Sequence, residues 1–128
     1  MLKNLRLFVL IAITSLGTIA LYGAENATTW QGTLVDSNCY LKDNSLTGND
    51  HMGVKGCGTA CLKQGLPAGL LTNAKKYHVL VAPSLALAPY VGQEVRVRGS
   101  MHEGAIVATK VEVQKQGKWE ELNLKSMM

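Results

Sequence analysis

The chain has 128 residues, a formal net charge of +4 and only 5% aromatic residues. A chain of this length forms one domain. Lys3 and Arg6 lie in an apolar leader, and without these two cations the net charge falls to +2. A mild charge and few aromatic rings argue against a nucleic-acid-binding protein, which needs a basic face or a stacking platform.

The first residues predict an export signal. Lys3 and Arg6 precede the apolar segment LFVLIAITSLGTIAL, an arrangement typical of a signal peptide. We predict a signal peptide over residues 1–24, with small residues between positions 20 and 27 offering several cleavage positions. An uncleaved anchor is the alternative and would be the only link to a membrane. Either way the domain is exported, to the periplasm or to the cell exterior.

Alternating hydrophobicity predicts a single β domain over residues 28–124. In TWQGTLVD the alternation has the period of a half-buried strand. The segment GLLTNAKKYHVLVAP predicts two more strands, joined at residues 73–76. In the second of these, Val79 and Val81 are predicted on the buried face and His78 at the rim of the sheet.

The second half of the domain predicts a short helix and a second hairpin. SLALAPYVG begins with a helix-capping serine, but Pro89 limits the helix to one or two turns. EVRVRGSMHEGAIVATKVEVQ alternates on both sides of a turn at Glu103–Gly104, and WEELNL adds an edge strand after Gly117. This order predicts an all-β fold, a small five- to six-stranded OB-like Greek-key barrel. A small open antiparallel sheet or sandwich is the alternative.

A long insertion follows the first predicted strand. The segment CYLKDNSLTGNDHMGVKGCGTAC, residues 39–61, holds all three cysteines of the chain and one of its three histidines. It is too long and too poor in bulky apolar residues for a hydrophobic core to hold it. Its end, CGTACLKQG, predicts a short helix that begins at Cys57 and stops at a left-handed Gly65. Cys57 and Cys61 would then lie on one helix face, one turn apart.

A motif spans most of the predicted domain and is written W-x-G-x3-D-x2-C, then a histidine, then C-x3-C-x3-G. Its residues are Trp30, Gly32, Asp36, Cys39, His51, Cys57, Cys61 and Gly65. Together with YVGQEVRVRG, this motif resembles a group of small exported bacterial proteins. The resemblance implies an exported OB-like domain with a Cys/His insertion, and it implies no activity.

Three thiols and one imidazole in a single loop predict a transition-metal site. The candidate ligands are Cys39, His51, Cys57 and Cys61. A closed Cys3His set suits structural zinc, and soft sulfur ligands equally suit cuprous copper. Asp36 is the candidate to accept a hydrogen bond from His51 behind the ligands. The sequence therefore favours an exported small binding protein with a zinc or copper site.

The same cysteines suit a disulfide, which is common in exported chains of this size. A bond from Cys39 to Cys57 or to Cys61 would contribute about 3 kcal/mol by closing a loop. In this alternative the protein is a disulfide-stapled OB-like module that binds a protein or glycan partner and no metal. Arg96 and Arg98 would then form the candidate binding face. Three cysteines cannot all pair within one chain, so one thiol would remain.

The sequence favours a binding protein over an enzyme. No G-x-S-x-G elbow or comparable nucleophile motif is present. A redox role for Cys57 and Cys61 would lack both the C-x-x-C spacing and the alternating helices and strands of thioredoxin-like proteins. The sequence does not identify a partner.

Overall fold

The computed structural model describes residues 27–125, so the predicted signal peptide over residues 1–24 lies outside the described residues. The strands are β1 Thr28–Asp36, β2 Ala68–Thr72, β3 Tyr77–Val81, β4 Glu94–His102, β5 Ala105–Lys115 and β6 Lys118–Glu121. The helices are α1 Ser37–Tyr40, α2 Cys57–Lys63 and α3 Ser84–Leu87, the last followed by a 3-10 turn over Ala88–Tyr90. Every helix within residues 27–125 is too short to cross a membrane.

The six strands form one sheet in the order β3-β2-β1-β4-β5-β6, with antiparallel neighbours throughout. In addition, β3 pairs in parallel with β5, where Leu80 lies opposite Ile106. The helices α1 and α2 both lie between β1 and β2. The predicted all-β class and the helix-bearing insertion after the first strand are therefore confirmed.

Two tight turns fix the register of the last three strands. Glu103 and Gly104 join β4 to β5 with φ values of 49° and 82°, and Gln116 and Gly117 join β5 to β6 with 49° and 76°. Two successive positive φ values define type I′ turns, whose twist matches that of the flanking strands. Both turns lie at the predicted positions, and β6 is the predicted edge strand.

The hydrophobic core combines sheet residues with residues from two short helices. Its fully buried members from β1, β2, β4 and β5 are Leu34, Leu70, Val95, Val97, Ile106, Val111 and Val113. Leu62 of α2 and Leu87 of α3 complete it, both without exposed surface. The insertion is thus anchored at its second helix, because Leu62 packs in the core directly after Cys61.

The predicted buried face of β3 is wrong. Leu80 is only 3% exposed, whereas Val81 is 52% exposed. Both faces of this strand carry apolar side chains, so alternation alone does not identify the inner one. The parallel pairing with β5 turns Leu80 inward, and His78 lies half-buried with Nδ1 3.0 Å from the carbonyl oxygen of Gly104.

Gly32 allows β1 to lie close to β2. It is the Cα partner of Thr72 in β2 and of Val95 in β4. A Cβ atom at this position would lie 2.1 Å from the carbonyl oxygen of Leu71. The neighbouring atom is backbone in the middle of a sheet, so a side chain at Gly32 forces the strands apart.

We expect Gly32→Ala to lower the free energy of unfolding by about 2 kcal/mol, because the added methyl collides with the β2 backbone. The matched control is Gly48→Ala, where a Cβ meets nothing within 4 Å. The control should stay within about 0.5 kcal/mol of the wild type in urea unfolding. Equal stability of the two variants would contradict the close approach at Gly32.

A cluster of charged side chains occupies one face of β4 and β5. The Nε of Arg96 donates to Oε2 of Glu112 at 2.8 Å, and Nζ of Lys110 lies 3.2 Å from Oε1 of the same carboxylate. The Arg96 guanidinium also stacks 4.6 Å from the ring centroid of Trp119. Of the two arginines predicted as a binding face, Arg96 is therefore held by its neighbours and Arg98 remains exposed.

These contacts make stability depend on pH through Glu112. The hydrogen bond from Arg96, with the Lys110 ammonium adding to it, lowers the pKa of Glu112 below its ordinary value of 4.5. A lowered pKa stabilises the fold above the unfolded-state value, and this contribution is lost as pH falls through the folded-state value. We expect Glu112→Gln to cost about 0.5–1 kcal/mol at pH 7.

The cost should vanish once the pH is below the lowered folded-state pKa of Glu112, where both states protonate the wild-type carboxyl. Urea unfolding of wild type and Glu112→Gln as the pH is lowered measures it. Glu103→Gln, at the exposed β4–β5 turn, is the control and should show no pH-dependent difference. A difference for Glu112→Gln that persists unchanged at low pH would rule out the charge pairing as its source.

Candidate metal centre

The centre begins where β1 ends. Asp36 is the last residue of β1 and has no exposed surface. Its Oδ1 accepts a hydrogen bond from the backbone N–H of Asn38 at 3.0 Å, which caps the single turn of α1. That turn carries Cys39, which is 7% exposed. A strand end and a cap thus hold a buried carboxylate beside a buried thiol.

The start of α2 is capped by the loop that precedes it. Gly56, at the N-cap, has a left-handed φ of 66° and supplies no side chain. Its N–H instead donates to Oδ1 of Asp50 at 2.7 Å, and the N–H of Thr59 donates to Oδ1 of Asn49 at 2.8 Å. The Thr59 hydroxyl donates to the carbonyl oxygen of Ala88 at 2.8 Å and lies 3.1 Å from the same Asn49 oxygen. These bonds fix Cys57, the first residue of α2, against the loop.

The end of α2 is a Schellman motif. Gly65 has a φ of 87°, and its N–H donates to the carbonyl of Leu62 at 3.0 Å. The N–H of Leu66 donates to the carbonyl of Cys61 at 3.2 Å. The predicted left-handed stop at Gly65 is confirmed. Because Leu62 packs in the core, this end of α2 sets the direction of the Cys61 side chain.

His51 sits at the start of a tight turn. Two backbone hydrogen bonds of 3.1 and 2.8 Å pair it with Val54, and Met52 and Gly53 between them have positive φ values. The imidazole is 1% exposed, and its Nε2 lies 2.7 Å from the carbonyl oxygen of Gly48. A carbonyl only accepts, so Nε2 carries the proton and Nδ1 keeps a free lone pair.

The donors gather around Cys39 in two groups. The ligand atoms of Cys39, His51 and Cys57 lie within 4.8 Å of one another, and so do those of Asp36, Cys39 and Cys61. We call these sets the histidine triad and the aspartate triad. Cys39 belongs to both. The structure therefore brings all four predicted ligands together, and it adds Asp36 to the same cluster.

Each triad contains one buried polar atom without a hydrogen-bond partner among residues 27–125. These atoms are Nδ1 of His51 and Oδ2 of Asp36. An unpaired polar atom in the interior is unfavourable, and a bound water or ion is one way to satisfy it. In the described part of the chain, Ser37 Oγ and Tyr77 OH are also buried without a partner. The other nitrogen of His51 is held by a backbone carbonyl, as is usual for histidines that bind metals.

Burial keeps the thiols of Cys39 and Cys61 protonated at neutral pH unless a metal ion displaces the proton. Burial, with the nearby Asp36 carboxylate adding to it, raises the pKa of Cys39 to about 12. The same two causes raise the pKa of Cys61 to about 11. Cys57 is half-exposed. Metal binding at this cluster would therefore release protons.

The disulfide alternative is not supported. Cys39, Cys57 and Cys61 are all free thiols. The Cys39 sulfur lies within 4.8 Å of each of the other two, but neither pair is bonded at the roughly 2.05 Å of an S–S bond.

The predicted hydrogen bond from His51 to Asp36 is wrong. Nε2 of His51 donates a hydrogen bond to the Gly48 carbonyl. The Asp36 carboxylate lies instead within 4.8 Å of the sulfurs of Cys39 and Cys61. The sequence interpretation also missed Asn49 as a cap of α2. The only signal for it was an asparagine in the loop, eight residues before the helix, where no cap is expected.

The donor set is the basis for assigning a function. Comparisons with models of known protein families, with curated proteins and with solved structures find no match. Three thiols, an imidazole and a carboxylate are ligands for soft and borderline transition metals. Their convergence from the end of β1, a loop turn and α2 defines one candidate site within residues 27–125.

We expect Asn49→Ala to lower the free energy of unfolding by about 1 kcal/mol, because the backbone N–H of Thr59 in the first turn of α2 loses its acceptor. Asn44→Ala is the matched control, since Asn44 is exposed in the same loop. The control should change stability by less than about 0.5 kcal/mol. Thermal unfolding of both variants measures the difference, and equal midpoints would show that Asn49 does not cap α2.

Proposed function

We propose that the chain is an exported small protein that binds a transition metal, zinc or copper, through Cys39, His51, Cys57 and Cys61. The observation that carries the proposal is the state of His51. Its ring is buried, Nε2 is held by the Gly48 carbonyl, Nδ1 has no hydrogen-bond partner, and a ring nitrogen lies within 4.8 Å of the sulfurs of Cys39 and Cys57. This is how a protein orients an imidazole for a metal.

A metal at this site would stabilise the insertion. Residues 41–56 form a loop whose bulky apolar side chains Leu41, Met52 and Val54 are exposed rather than packed. Ions that bind only the folded state add their binding free energy to stability. An ion linking α1, the His51 turn and α2 would hold the loop where apolar packing does not.

We also propose that the domain is an OB-like Greek-key barrel. Support comes from the parallel pairing of β3 with β5, which gives the ring order β1-β2-β3-β5-β4 in addition to the open sheet order. The insertion is then the connection between the first two strands, a loop that OB-folds use for binding. The proposal that the protein is exported rests on the apolar leader. The proposal that it is related to the small exported bacterial proteins rests on the motif residues.

The native mass of protein exported from its own signal sequence tests the metal site. We expect the mass to fall by that of a metal on acid denaturation, leaving three reduced thiols. His51→Gln should weaken metal binding by at least about tenfold, because a direct ligand is lost. His102→Gln, at the exposed end of β4, is the matched control and should bind like the wild type.

Two results would overturn the proposal. One is a native mass equal to that of the residues alone, together with no metal uptake when the thiols are reduced. The other is a His51→Gln variant whose metal affinity equals that of the wild type and of His102→Gln. Circular dichroism of each variant separates a lost ligand from a lost fold.

A further inference from the structure

Asp36 has a buried carboxylate without a cation. It has no exposed surface, Oδ1 is used to cap α1, and Oδ2 has no hydrogen-bond partner among residues 27–125. The ion pairs of these residues join Arg96, Lys110 and Lys115 to glutamates of β5 and β6, and none reaches Asp36. Its carboxylate lies within 4.8 Å of the sulfurs of Cys39 and Cys61.

A single divalent ion would leave this cluster negative. The thiolates of Cys39 and Cys57 balance one divalent cation in the histidine triad, which leaves the Asp36 carboxylate without a counter-charge. Buried charge without a counter-charge is costly, and among residues 27–125 no basic side chain is paired with Asp36. A second divalent ion brings the three thiolates, the carboxylate and the metals to neutrality.

The distances between the donor atoms also indicate two separate positions for an ion. Four donors around one zinc ion, each about 2.3 Å away for sulfur, lie roughly 3.8 Å from one another. The four Cys/His donors do not form a single group even at 4.8 Å, but two triads do, and Cys39 is common to both. One residue of each triad also has a buried atom without a hydrogen-bond partner, Nδ1 of His51 in one and Oδ2 of Asp36 in the other.

We infer that the centre holds two divalent cations of the zinc class, bridged by the Cys39 thiolate. One ion is bound by His51, Cys57 and Cys39, and the other by Asp36, Cys61 and Cys39. The inference rests on the proposed metal site and deepens it. The carboxylate is a hard oxygen ligand, which favours Zn²⁺ over cuprous copper at the aspartate triad. Each ion has three protein ligands and keeps one position for water or another ligand.

Zinc titration of the reduced protein, followed by removal of excess zinc and native mass spectrometry, tests the inference. The wild type should retain two zinc ions. Asp36→Asn and Cys61→Ser should each retain one, in the histidine triad, and Cys57→Ser should retain one in the aspartate triad. Asparagine also caps helices well, so Asp36→Asn keeps the start of α1 intact.

The matched control is Asp43→Asn, an exposed carboxylate of the same loop that bonds only Ser45. It should retain two zinc ions. A wild type that binds one zinc ion, together with Cys57→Ser and Cys61→Ser variants that each bind none, would overturn the two-ion centre. The proposed single metal site would remain. Two ions in Asp36→Asn would remove Asp36 as a ligand, and no zinc in the wild type would overturn both proposals.

Discussion

The candidate centre depends on one junction, where Asp36 ends β1 and caps α1. The strand before it is paired on both sides, with β2 and with β4. Gly32 allows the β1 and β2 backbones to lie close together. The cap then turns the chain so that Cys39 comes next to the same carboxylate. The sheet therefore positions Asp36, and through the cap of α1 it also positions Cys39. The other donors are arranged around Cys39.

Polar contacts hold the rest of the insertion in place of apolar packing. Asn49 and Asp50 satisfy the N–H groups at the start of α2, and the Gly48 carbonyl fixes His51. Such bonds are individually worth about 1 kcal/mol, because the unfolded chain bonds water instead. A loop built from them orders its donors only marginally, which is the situation in which bound metal contributes most to local stability.

Local patterns in the sequence were enough to predict the strands, the tight turns and the stop of α2 at Gly65. They failed at β3, where both faces are apolar and only the pairing with β5 turns Leu80 inward. The four Cys/His donors were visible as residue types. Their division into two triads was not, because spacing along the chain does not give the directions of side chains. The hydrogen-bond partner of the His51 ring is the backbone carbonyl of Gly48, and residue types alone do not predict a backbone partner.

The two triads differ in how firmly the fold positions them. The aspartate triad joins the end of β1 to α2, whose Leu62 packs in the core beside Cys61. The histidine triad adds a turn of the polar loop, whose order rests on hydrogen bonds accepted by the Asn49 side chain and by the Gly48 carbonyl. In the proposed centre, the aspartate triad is therefore the preorganised half, and it loses less conformational entropy when it binds. Binding there also fixes Cys39, the shared ligand, and so lowers the ordering cost of the second position.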